Sequence, residues 1–355
     1  MARSVEWRGS HARPLLWACL VLIGLMLLAA CADPDVAVAE LTGPTMGTSY
    51  SVKLSPAPEV SAREALQRQI DSRLVEINHQ MSTYLADSDL TRFNNAQSTD
   101  WQAAPADLVS LIERAAQISE LTDGVYDITI GPLVDLWGFG SMGSRIEPPG
   151  EQEIADLMPL VGYRHLHTRQ APPALRKSVA GLRADLSSIA KGWAVDQIAQ
   201  LLADLGYPNF LVEIGGEVYA RGEKHPGEPW QIAIEKPLYD SREVQRVIAL
   251  KGMALATSGD YRNYFSAGGR RYSHTIDPRT GLVVRHRLAA VTVLAGNCTD
   301  ADAWATALMA LGDQLGPIVA RNQNIRALFL IRNDGGFHEI ASAALLASTP
   351  WKTVR

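Results

Sequence analysis

The chain has 355 residues, a formal net charge of −5, and is 47% hydrophobic and 20% charged. This composition indicates a folded globular protein of one large domain or two. Because no basic block interrupts the nearly balanced charge, nucleic acid binding is not indicated.

The first thirty residues are expected to form an export signal and not part of the fold. Three arginines within residues 1–13 are followed by an apolar stretch, 15–30, that is short for a membrane-spanning helix. Small residues before Cys31 resemble the lipobox of bacterial lipoproteins, which implies that Cys31 is lipidated and becomes the first mature residue. The alternative is an ordinary signal peptide with a coincidental cysteine. Residues 1–30 carry a net charge of +2, so the mature chain carries −7.

Cysteine content agrees with an exported protein that has no internal disulfide. Cys19 lies in the expected signal and Cys31 would carry lipid, so Cys298 remains alone in the fold. A chain of this length buries enough apolar surface without a disulfide. Residues 31–40 are expected to be a linker from the lipid anchor. Residues 41–355 are expected to form a single domain of one or two lobes.

Apolar periodicity predicts the elements of the mature chain in order. Helices are expected at 61–80, 106–121, 154–160, 188–205 and 301–311. Strands are expected at 48–54, 210–214, around Val218, and at 230–234, 247–250, 289–294 and 327–331. Helices and strands interleave without a strict βαβ rhythm. This order indicates an α+β fold with a mainly antiparallel or mixed sheet and packed helices.

The stretch Gly124–Gly140 is the most unusual in the chain. Tyr126, Ile128 and Ile130 alternate as in a strand, and Gly131 followed by proline then interrupts the pattern. Glycines beside large aromatic residues allow a backbone to approach a flat ligand. The alternative is a strand and turn of the core.

Two oxygen-bearing side chains share one face of the predicted helix 301–311. Asp302 and Thr306 are four residues apart. Carboxylate and hydroxyl oxygens suit Mg²⁺ better than Zn²⁺. The alternative is that Asp302 caps the helix and Thr306 bonds to a carbonyl of the preceding turn.

The segment Asp185–Gly192 leads from a short strand into the helix predicted at 188–205. The start of a helix presents unpaired N–H groups and partial positive charge, and Lys191 adds a full charge. Such a site favours an anion, although the glycine pattern of a P-loop or Rossmann turn is absent. The alternative is a capped helix with a surface lysine.

His274 lies in the segment Ser273–Gly281, beside the turn signal Asp277-Pro278. A histidine in this setting can act as a base near neutral pH, and the alternative is a structural role. No Gly-x-Ser-x-Gly elbow is present, and Cys298 has no evident catalytic partner.

Six segments together resemble the ApbE family of FAD:protein FMN transferases in their order and spacing, from about Thr45 to Gly312. They are Thr45–Thr48, Met81–Tyr84, Gly124–Gly140, Asp185–Gly192, Ser273–Gly281 and Ala301–Leu308. The lipoprotein-like start is also similar to that family. The resemblance implies Mg²⁺-dependent cleavage of FAD at its pyrophosphate. The FMN half would pass to a threonine hydroxyl of a target flavoprotein, with release of AMP.

The resemblance also implies roles for individual residues. It assigns Asp302, Thr306 and the backbone oxygen of Ser188 as Mg²⁺ ligands. It places Lys191 beside the cofactor and makes His274 the group that deprotonates the acceptor threonine. The residues expected to line the FAD pocket are Met46, Tyr84, Val125, Tyr126, Asp127, Asp185, Lys191 and Ile276.

The resemblance further suggests where the protein acts and on what. Its partners would be exported flavoprotein subunits of membrane electron-transfer complexes, of the sodium-pumping NADH:quinone reductase or Rnf type. The protein would face the periplasm, tethered by lipid to the inner or outer membrane. Two alternatives stay open: an FAD pyrophosphatase that yields FMN and AMP, and a lipid-anchored FAD-binding protein without turnover.

Overall fold

A computed structural model describes residues 37–261, 263–348 and 351–352. The predicted signal at 1–30 and Cys31 therefore lie outside the described residues. Within the described part of the chain, no helix is long and apolar enough to span a membrane. The described residues from Val38 onward form one compact unit.

The strands of the described residues are, in chain order, β1 (Ala39–Thr45), β2 (Thr48–Leu54), β3 (Gln102–Ala103), β4 (Leu166–Gln170), β5 (Pro173–Lys177), β6 (Phe210–Ile214), β7 (Glu217–Arg221), β8 (Glu223–His225), β9 (Glu228–Glu235), β10 (Val244–Leu250), β11 (Met253–Gly259), β12 (Tyr264–Ala267), β13 (Arg270–Ser273), β14 (Ile276–Asp277), β15 (Leu282–Val283), β16 (Leu288–Ala295), β17 (Arg326–Asn333), β18 (Gly336–Ala341) and β19 (Trp351–Lys352). The helices are α1 (Val60–Met81), α2 (Asp89–Asn95), α3 (Ala106–Leu121), α4 (Gly131–Leu136), α5 (Glu151–Leu157), α6 (Ala190–Asp204), α7 (Cys298–Asn322) and α8 (Ala343–Ser348). Short 3₁₀ turns cover Met158–Leu160 and Tyr163–His165.

The main sheet has eight strands in the order β1-β2-β6-β7-β11-β16-β17-β18. Every neighbouring pair in it is antiparallel. The first hairpin turns through Met46 and Gly47, which both have positive φ, at 48° and 72°. Two successive positive φ angles define the tight turn that matches strand twist in a hairpin. The α+β fold with a mainly antiparallel sheet is confirmed.

Successive side chains of a strand point to opposite faces of a sheet. Both faces of the main sheet are covered by another layer. On one face Val52 and Ile214 are buried in a core shared with α1, α3, α6 and α7. On the other face Leu211 and Val218 pack against residues of the smaller sheet β8–β10, including Trp230. The N-terminal ends of α6 and α7 reach β7 of this sheet, where Lys191 lies 3.5 Å from Glu217 and the Cys298 thiol donates to the Val218 carbonyl at 3.6 Å.

The five predicted helices and the seven strands predicted between residues 48 and 331 are present, some with shifted ends, whereas the short strand expected before Asp185 is reduced to an isolated bridge at Arg183. The predicted strands 48–54 and 210–214 coincide with β2 and β6. The helix predicted at 188–205 begins two residues later, at Ala190. Residues 39 and 40, assigned to the linker by the sequence, belong to β1.

Helix α7 differs most from its prediction as a helix over 301–311. It begins at Cys298, because the Asn297 side chain accepts a hydrogen bond from the Asp300 N–H and caps it there. It continues to Asn322 across a kink at Gly312, where φ is 75° and ψ is −171°. A Cβ atom at Gly312 would lie 2.5 Å from Cδ2 of His286, so only glycine fits against that ring.

The strand suggested by the alternation of Tyr126, Ile128 and Ile130 is wrong. All residues from 125 to 129 are buried, so the alternation does not separate an inner from an outer face. Ile130 makes only an isolated parallel bridge to Arg183. Helix α4 follows directly, with proline in its first turn, where a missing N–H costs no helical hydrogen bond.

Candidate active site

One cavity of about 860 Å³ brings the candidate residues together, a volume within the range of small-molecule and cofactor sites. Its walls include all candidates except Met46, namely Tyr84, Val125, Tyr126, Asp127, Asp185, Ser188, Lys191, His274, Ile276, Asp302 and Thr306. Met46 occupies the turn of the first hairpin and packs against the core instead. The structure therefore gathers residues from five segments that are far apart in sequence.

Helices α6 and α7 cap each other's N-termini beside the cavity. The N–H of Gly192, in the first turn of α6, donates to Oδ2 of Asp302 on α7 at 3.0 Å. In return, Asp196 of α6 accepts from the N–H groups of Cys298 and Thr299 at 2.7 and 2.8 Å. Caps of this kind satisfy helix N–H groups that have no partner within their own helix. The mutual capping fixes the position of Asp302.

The two helices can approach this closely because residue 192 is glycine. A Cβ atom there would lie 2.3 Å from the Cys298 carbonyl oxygen and 2.8 Å from Cβ of Asp302. No real side chain tolerates such distances, so the lack of a side chain at Gly192 is a requirement of the site.

The mutual capping contributes measurably to the free energy of unfolding. We expect Asp196→Ala to lower the free energy of unfolding by about 2 kcal/mol, since it leaves the N–H groups of Cys298 and Thr299 without their acceptor. Urea denaturation measures this loss. The control Asp204→Ala removes an exposed carboxylate of the same helix and should change stability by less than about 0.5 kcal/mol. Equal losses in both variants would contradict the capping role.

Asp302 is a carboxylate with only 3% of its surface exposed. Burial raises its pKa, and the charge of Lys191 and the Gly192 N–H oppose that shift. No described cation lies within ion-pair distance of it. The hydroxyl of Thr306, one turn later, lies 3.2 Å from the hydroxyl of Ser258, so Thr306 is not engaged with its own helix. The sequence-based alternative, in which Asp302 caps its own helix, is wrong because Asn297 holds that position.

The charges near Asp302 favour a divalent cation. Lys191 lies 3.5 Å from Glu217, a second buried carboxylate whose pKa is raised by burial. Burial alone would lower the pKa of Lys191, but the carboxylates of Asp302 and Glu217 outweigh it and raise that pKa. Two carboxylates thus share one ammonium group. Carboxylate and hydroxyl oxygens are the ligands that Mg²⁺ prefers, and burial makes the negative charge of Asp302 unfavourable until a cation balances it, so the residues present fit that ion.

Such a site would depend on hydroxyl and backbone oxygens as well as on a carboxylate. In the described ranges, no group of three His, Cys, Asp or Glu side chains is arranged to hold a metal. Ser188 lies just before the N-cap of α6, where its carbonyl lies outside the helical hydrogen-bond pattern. Its side-chain hydroxyl donates to the buried hydroxyl of Tyr126 at 3.0 Å, which fixes the Ser188 residue.

A second set of buried contacts fixes the segment that carries Asp185. Asn94 forms two hydrogen bonds of 2.8 Å with the backbone of Ala184, one to its carbonyl and one from its N–H. The fully buried ammonium group of Lys177 donates to the carbonyls of Asn94 and Leu182 at 2.9 and 3.1 Å. Burial lowers the pKa of Lys177 to about 8. The side chains of Asn94 and Lys177 form a clamp, which we call the 94/177 clamp.

The other acidic and aromatic candidates differ in what they can offer a ligand. The carboxylate of Asp127 is already engaged within the protein, because it accepts hydrogen bonds from the N–H groups of Thr129 and Tyr163 at 2.7 and 2.6 Å. Asp185 accepts from the Ser187 N–H at 2.8 Å and lies at the cavity wall. Tyr84 is 72% exposed there, so its ring is open to a flat partner.

His274 is held in the form that accepts a proton. Its Nδ1 lies 3.1 Å from the carbonyl oxygen of Asn263. Because a carbonyl oxygen only accepts, Nδ1 carries the proton and Nε2 of the neutral ring keeps its lone pair. Burial lowers the pKa of His274; the Asn263 carbonyl and Asp260 oppose the shift, and the charge of Lys191 adds to it. The ring is therefore neutral at pH 7.

Sequence reasoning did not identify three residues of this site: Asp196, Glu217 and Asn263. Glu217 follows a glycine pair that forms the β6–β7 turn, where a Cβ atom at Gly215 would lie 3.1 Å from Cδ of Lys191. The glycine pair was the available signal, since it marks a close backbone approach. Asp196 and Asn263 act through contacts with residues distant in sequence, so no local sequence pattern indicates their role.

A buried carboxylate, a nearby ammonium group and a neutral histidine line one cavity, and these are groups that phosphoryl transfer uses to hold a metal, neutralise phosphate charge and accept a proton. The ApbE family model matches residues 46–329. The FAD:protein FMN transferase of Vibrio cholerae serotype O1 is 43% identical over 325 residues, which cover 92% of this chain and 96% of the relative. That of Haemophilus influenzae is 39% identical over 338 residues, covering 94% and 98%.

A solved structure leads to the same family. The flavin transferase ApbE from Vibrio cholerae superposes with a TM-score of 0.81 at 42% identity, covering 87% of this chain and 98% of that one. The chain belongs to the ApbE family. Its relatives are transferase enzymes, and the expected family and enzyme class are confirmed.

Proposed function

We propose that this protein transfers the FMN half of FAD to a threonine hydroxyl of a target flavoprotein and releases AMP. The observation that carries the proposal is the meeting of His274, Lys191 and Asp302 on one cavity wall. The related proteins are named FAD:protein FMN transferases, which supports transfer of FMN from FAD to a protein. Transfer requires a base for the incoming hydroxyl and positive charge at the phosphates, and the site offers candidates for both.

In the transfer step the acceptor oxygen forms a bond to the phosphorus of the FMN half. The bond between that phosphorus and the bridging oxygen breaks, and AMP leaves with the bridging oxygen. His274 receives the threonine proton at Nε2, and the Asn263 carbonyl stabilises the resulting imidazolium through Nδ1–H. Lys191 supplies positive charge for the phosphate oxygens from a position fixed by Glu217.

The proposal includes a magnesium ion held by Asp302, Thr306 and the backbone oxygen of Ser188. When bound, Mg²⁺ would neutralise the charge that develops on the phosphate oxygens. The buried carboxylate of Asp302, which has no cation within ion-pair distance among the described residues, supports this assignment, as does the Thr306 hydroxyl one turn later. Ser188 supports it through its position before the N-cap of α6.

A single incubation tests the proposed function. The purified protein is mixed with FAD, Mg²⁺ and the flavin-accepting subunit of a sodium-pumping NADH:quinone reductase, and the intact mass of the acceptor is measured. We expect an FMN-sized mass gain that requires Mg²⁺. AMP release without a mass gain would identify a pyrophosphatase, and bound FAD without AMP release would identify a binding protein. Either result would overturn the transferase proposal.

The cellular setting is also a proposal. We infer that Cys31 carries lipid, that the mature chain faces the periplasm, and that its acceptors belong to membrane electron-transfer complexes of the sodium-pumping NADH:quinone reductase or Rnf type. The supporting observation is the charged and apolar start followed by small residues and Cys31. Cys31→Ser should give a protein without lipid on its N-terminal peptide. Lipid still present in that variant, detected by mass spectrometry, would refute the assignment.

A further inference from the structure

Strand β9 of the smaller sheet is paired along only one of its two sides. From Trp230 to Glu235 it pairs with β10. On its other side, in the part of the chain that the structure describes, β8 pairs only with Glu228 and Pro229. Residues 231–235 therefore form the edge of a sheet, and we call their unpaired side the open edge.

The hydrogen-bond pattern shows which backbone groups point to the open edge. Just beyond β9, the Lys236 N–H donates to the Glu243 carbonyl, on the β10 side, at 2.8 Å. Backbone groups of successive residues in a strand point to opposite sides, and the one irregularity of this pair lies on β10. The backbone groups of Gln231 and Ala233 therefore point to the open edge. Among the described residues, these groups have no hydrogen-bond partner.

The open edge belongs to the wall of the cavity that contains the candidate base. All five residues 231–235 line this cavity together with His274. Five consecutive residues line it through their backbone edge, because alternate side chains of a strand point to opposite faces. The loop after β9 contacts the β12–β13 hairpin, since Tyr239 lies edge-on to Tyr264 at 5.4 Å. His274 directly follows β13, so the open edge leads along the cavity wall towards the base.

The main sheet presents polar side chains to the same cavity. Ser51 and Lys53 of β2 line it, whereas Val52 between them is buried in the core on the other face. Glu40 of β1 also lines it, accepts from the Ser51 hydroxyl at 2.7 Å and lies 3.7 Å from the Lys53 ammonium group. We call Glu40, Ser51 and Lys53 the polar floor. Because its two charges balance each other, an uncharged polar segment fits over it.

We propose that an extended, uncharged polar segment of the acceptor flavoprotein pairs with the open edge as an additional strand and so carries its threonine to His274. This inference rests on the proposed function, since a transferase must bring a hydroxyl of a second protein to its base. His274 is half-buried in the cavity wall, so the threonine must enter on a segment that reaches into the cavity. An unpaired strand edge binds such a segment through backbone hydrogen bonds, here those of Gln231 and Ala233. The added strand would extend the smaller sheet over the polar floor.

Ala233→Pro tests the inference. Proline lacks the N–H that points to the open edge, and strands accept proline where that N–H points away from the sheet, so pairing with β10 should remain. We expect the Kd for the flavin-accepting subunit used above to rise about 10-fold, because a backbone hydrogen bond is lost and the ring obstructs strand pairing. Ala233→Ser keeps the N–H and should bind the subunit normally. Thr42→Pro is the matched control at the edge of β1, outside the cavity and two residues before Pro44, and should not change the Kd.

Amide hydrogen exchange, resolved to single residues, gives a second test on the unaltered protein. The N–H groups of Gln231 and Ala233 should exchange rapidly in the free protein and should become protected when the flavin-accepting subunit is added. Protection of both groups before the subunit is added would mean that another part of this chain, or a second copy of it, covers the open edge. The inference would then be wrong.

Measuring FMN transfer alongside binding separates this inference from the proposed function. Protection of Gln231 and Ala233 by the acceptor supports strand addition, even if no FMN is transferred. Transfer without that protection, or with a normal acceptor Kd in Ala233→Pro, overturns it, as does the absence of any acceptor binding. If Ala233→Pro weakens FAD binding and leaves the acceptor Kd unchanged, the open edge serves the nucleotide and the inference is also wrong.

Discussion

Asp302→Asn is expected to reduce Mg²⁺-dependent FMN transfer by about 10³-fold. The variant keeps an oxygen that can accept from the Gly192 N–H but loses the charge that would bind the metal. Metal ions contribute several kcal/mol to such transition states, and each 1.4 kcal/mol is about tenfold in rate. The rate of acceptor labelling at saturating FAD measures the loss.

A stability measurement separates the metal role of Asp302 from a structural role. Burial raises the pKa of Asp302, so its negative charge is unfavourable without a cation, and Asp302→Asn should not lower stability in the absence of Mg²⁺. Added Mg²⁺ should stabilise the unaltered protein but not the variant. Asp300→Asn, whose carboxylate pairs with Arg114 at 2.6 Å, is the control and should transfer FMN at nearly the normal rate. Transfer by Asp302→Asn within tenfold of normal would remove Asp302 from the metal site.

His274→Ala is expected to slow transfer by about 10²–10⁴-fold while FAD still binds. The variant loses the proton acceptor, whereas the other residues of the cavity wall, Lys191 and Asp185 among them, are unchanged. Single-turnover labelling measures the rate, and fluorescence quenching of FAD measures binding. His167→Ala, at a histidine outside the cavity, should behave like the unaltered protein. A normal rate in His274→Ala would exclude His274 as the base.

The pH dependence of transfer gives an independent check on His274. Burial lowers its pKa below the ordinary value near 6.5, so Nε2 stays unprotonated to a lower pH than in a free histidine. The rate should therefore fall only at a pH below the ordinary histidine pKa of about 6.5, and the fall should disappear in His274→Ala. An acidic limb above pH 6.5, or one that persists in the variant, would contradict this assignment.

The fold was predictable from the sequence where apolar spacing reports a single buried face. Strand β2 shows this, since Tyr50, Val52 and Leu54 face the helices and the residues between them do not. The strand prediction failed for the segment 125–129 because all of its residues are buried, and the alternation of apolar residues then does not distinguish a strand. Helix α7 was predicted too short because Gly312 kinks the helix without ending it.

The part of the site that could be predicted consists of residues in short segments with a distinctive sequence, such as 185–192, 273–281 and 301–308. Asp302, Thr306, Lys191 and His274 were selected from the sequence as candidates, and all four line the cavity. The sequence could not show that Asp302 caps α6, because that contact joins residues 110 positions apart. Nor could it show which nitrogen of His274 is protonated, since the partner is a backbone carbonyl 11 residues away.

The 94/177 clamp has a consequence for the thermodynamics of ligand binding. Because Asn94 and Lys177 fix residues 182–184 during folding, Asp185 and Ser187 are already ordered before a ligand arrives. Ordering one residue's backbone costs about 1–2 kcal/mol in conformational entropy, and a flexible loop would meet that cost on binding. FAD should thus bind with a small conformational entropy loss, which calorimetry on the unaltered protein and on Asn94→Ala can compare. Affinity for the nucleotide would then depend on residues that never touch it.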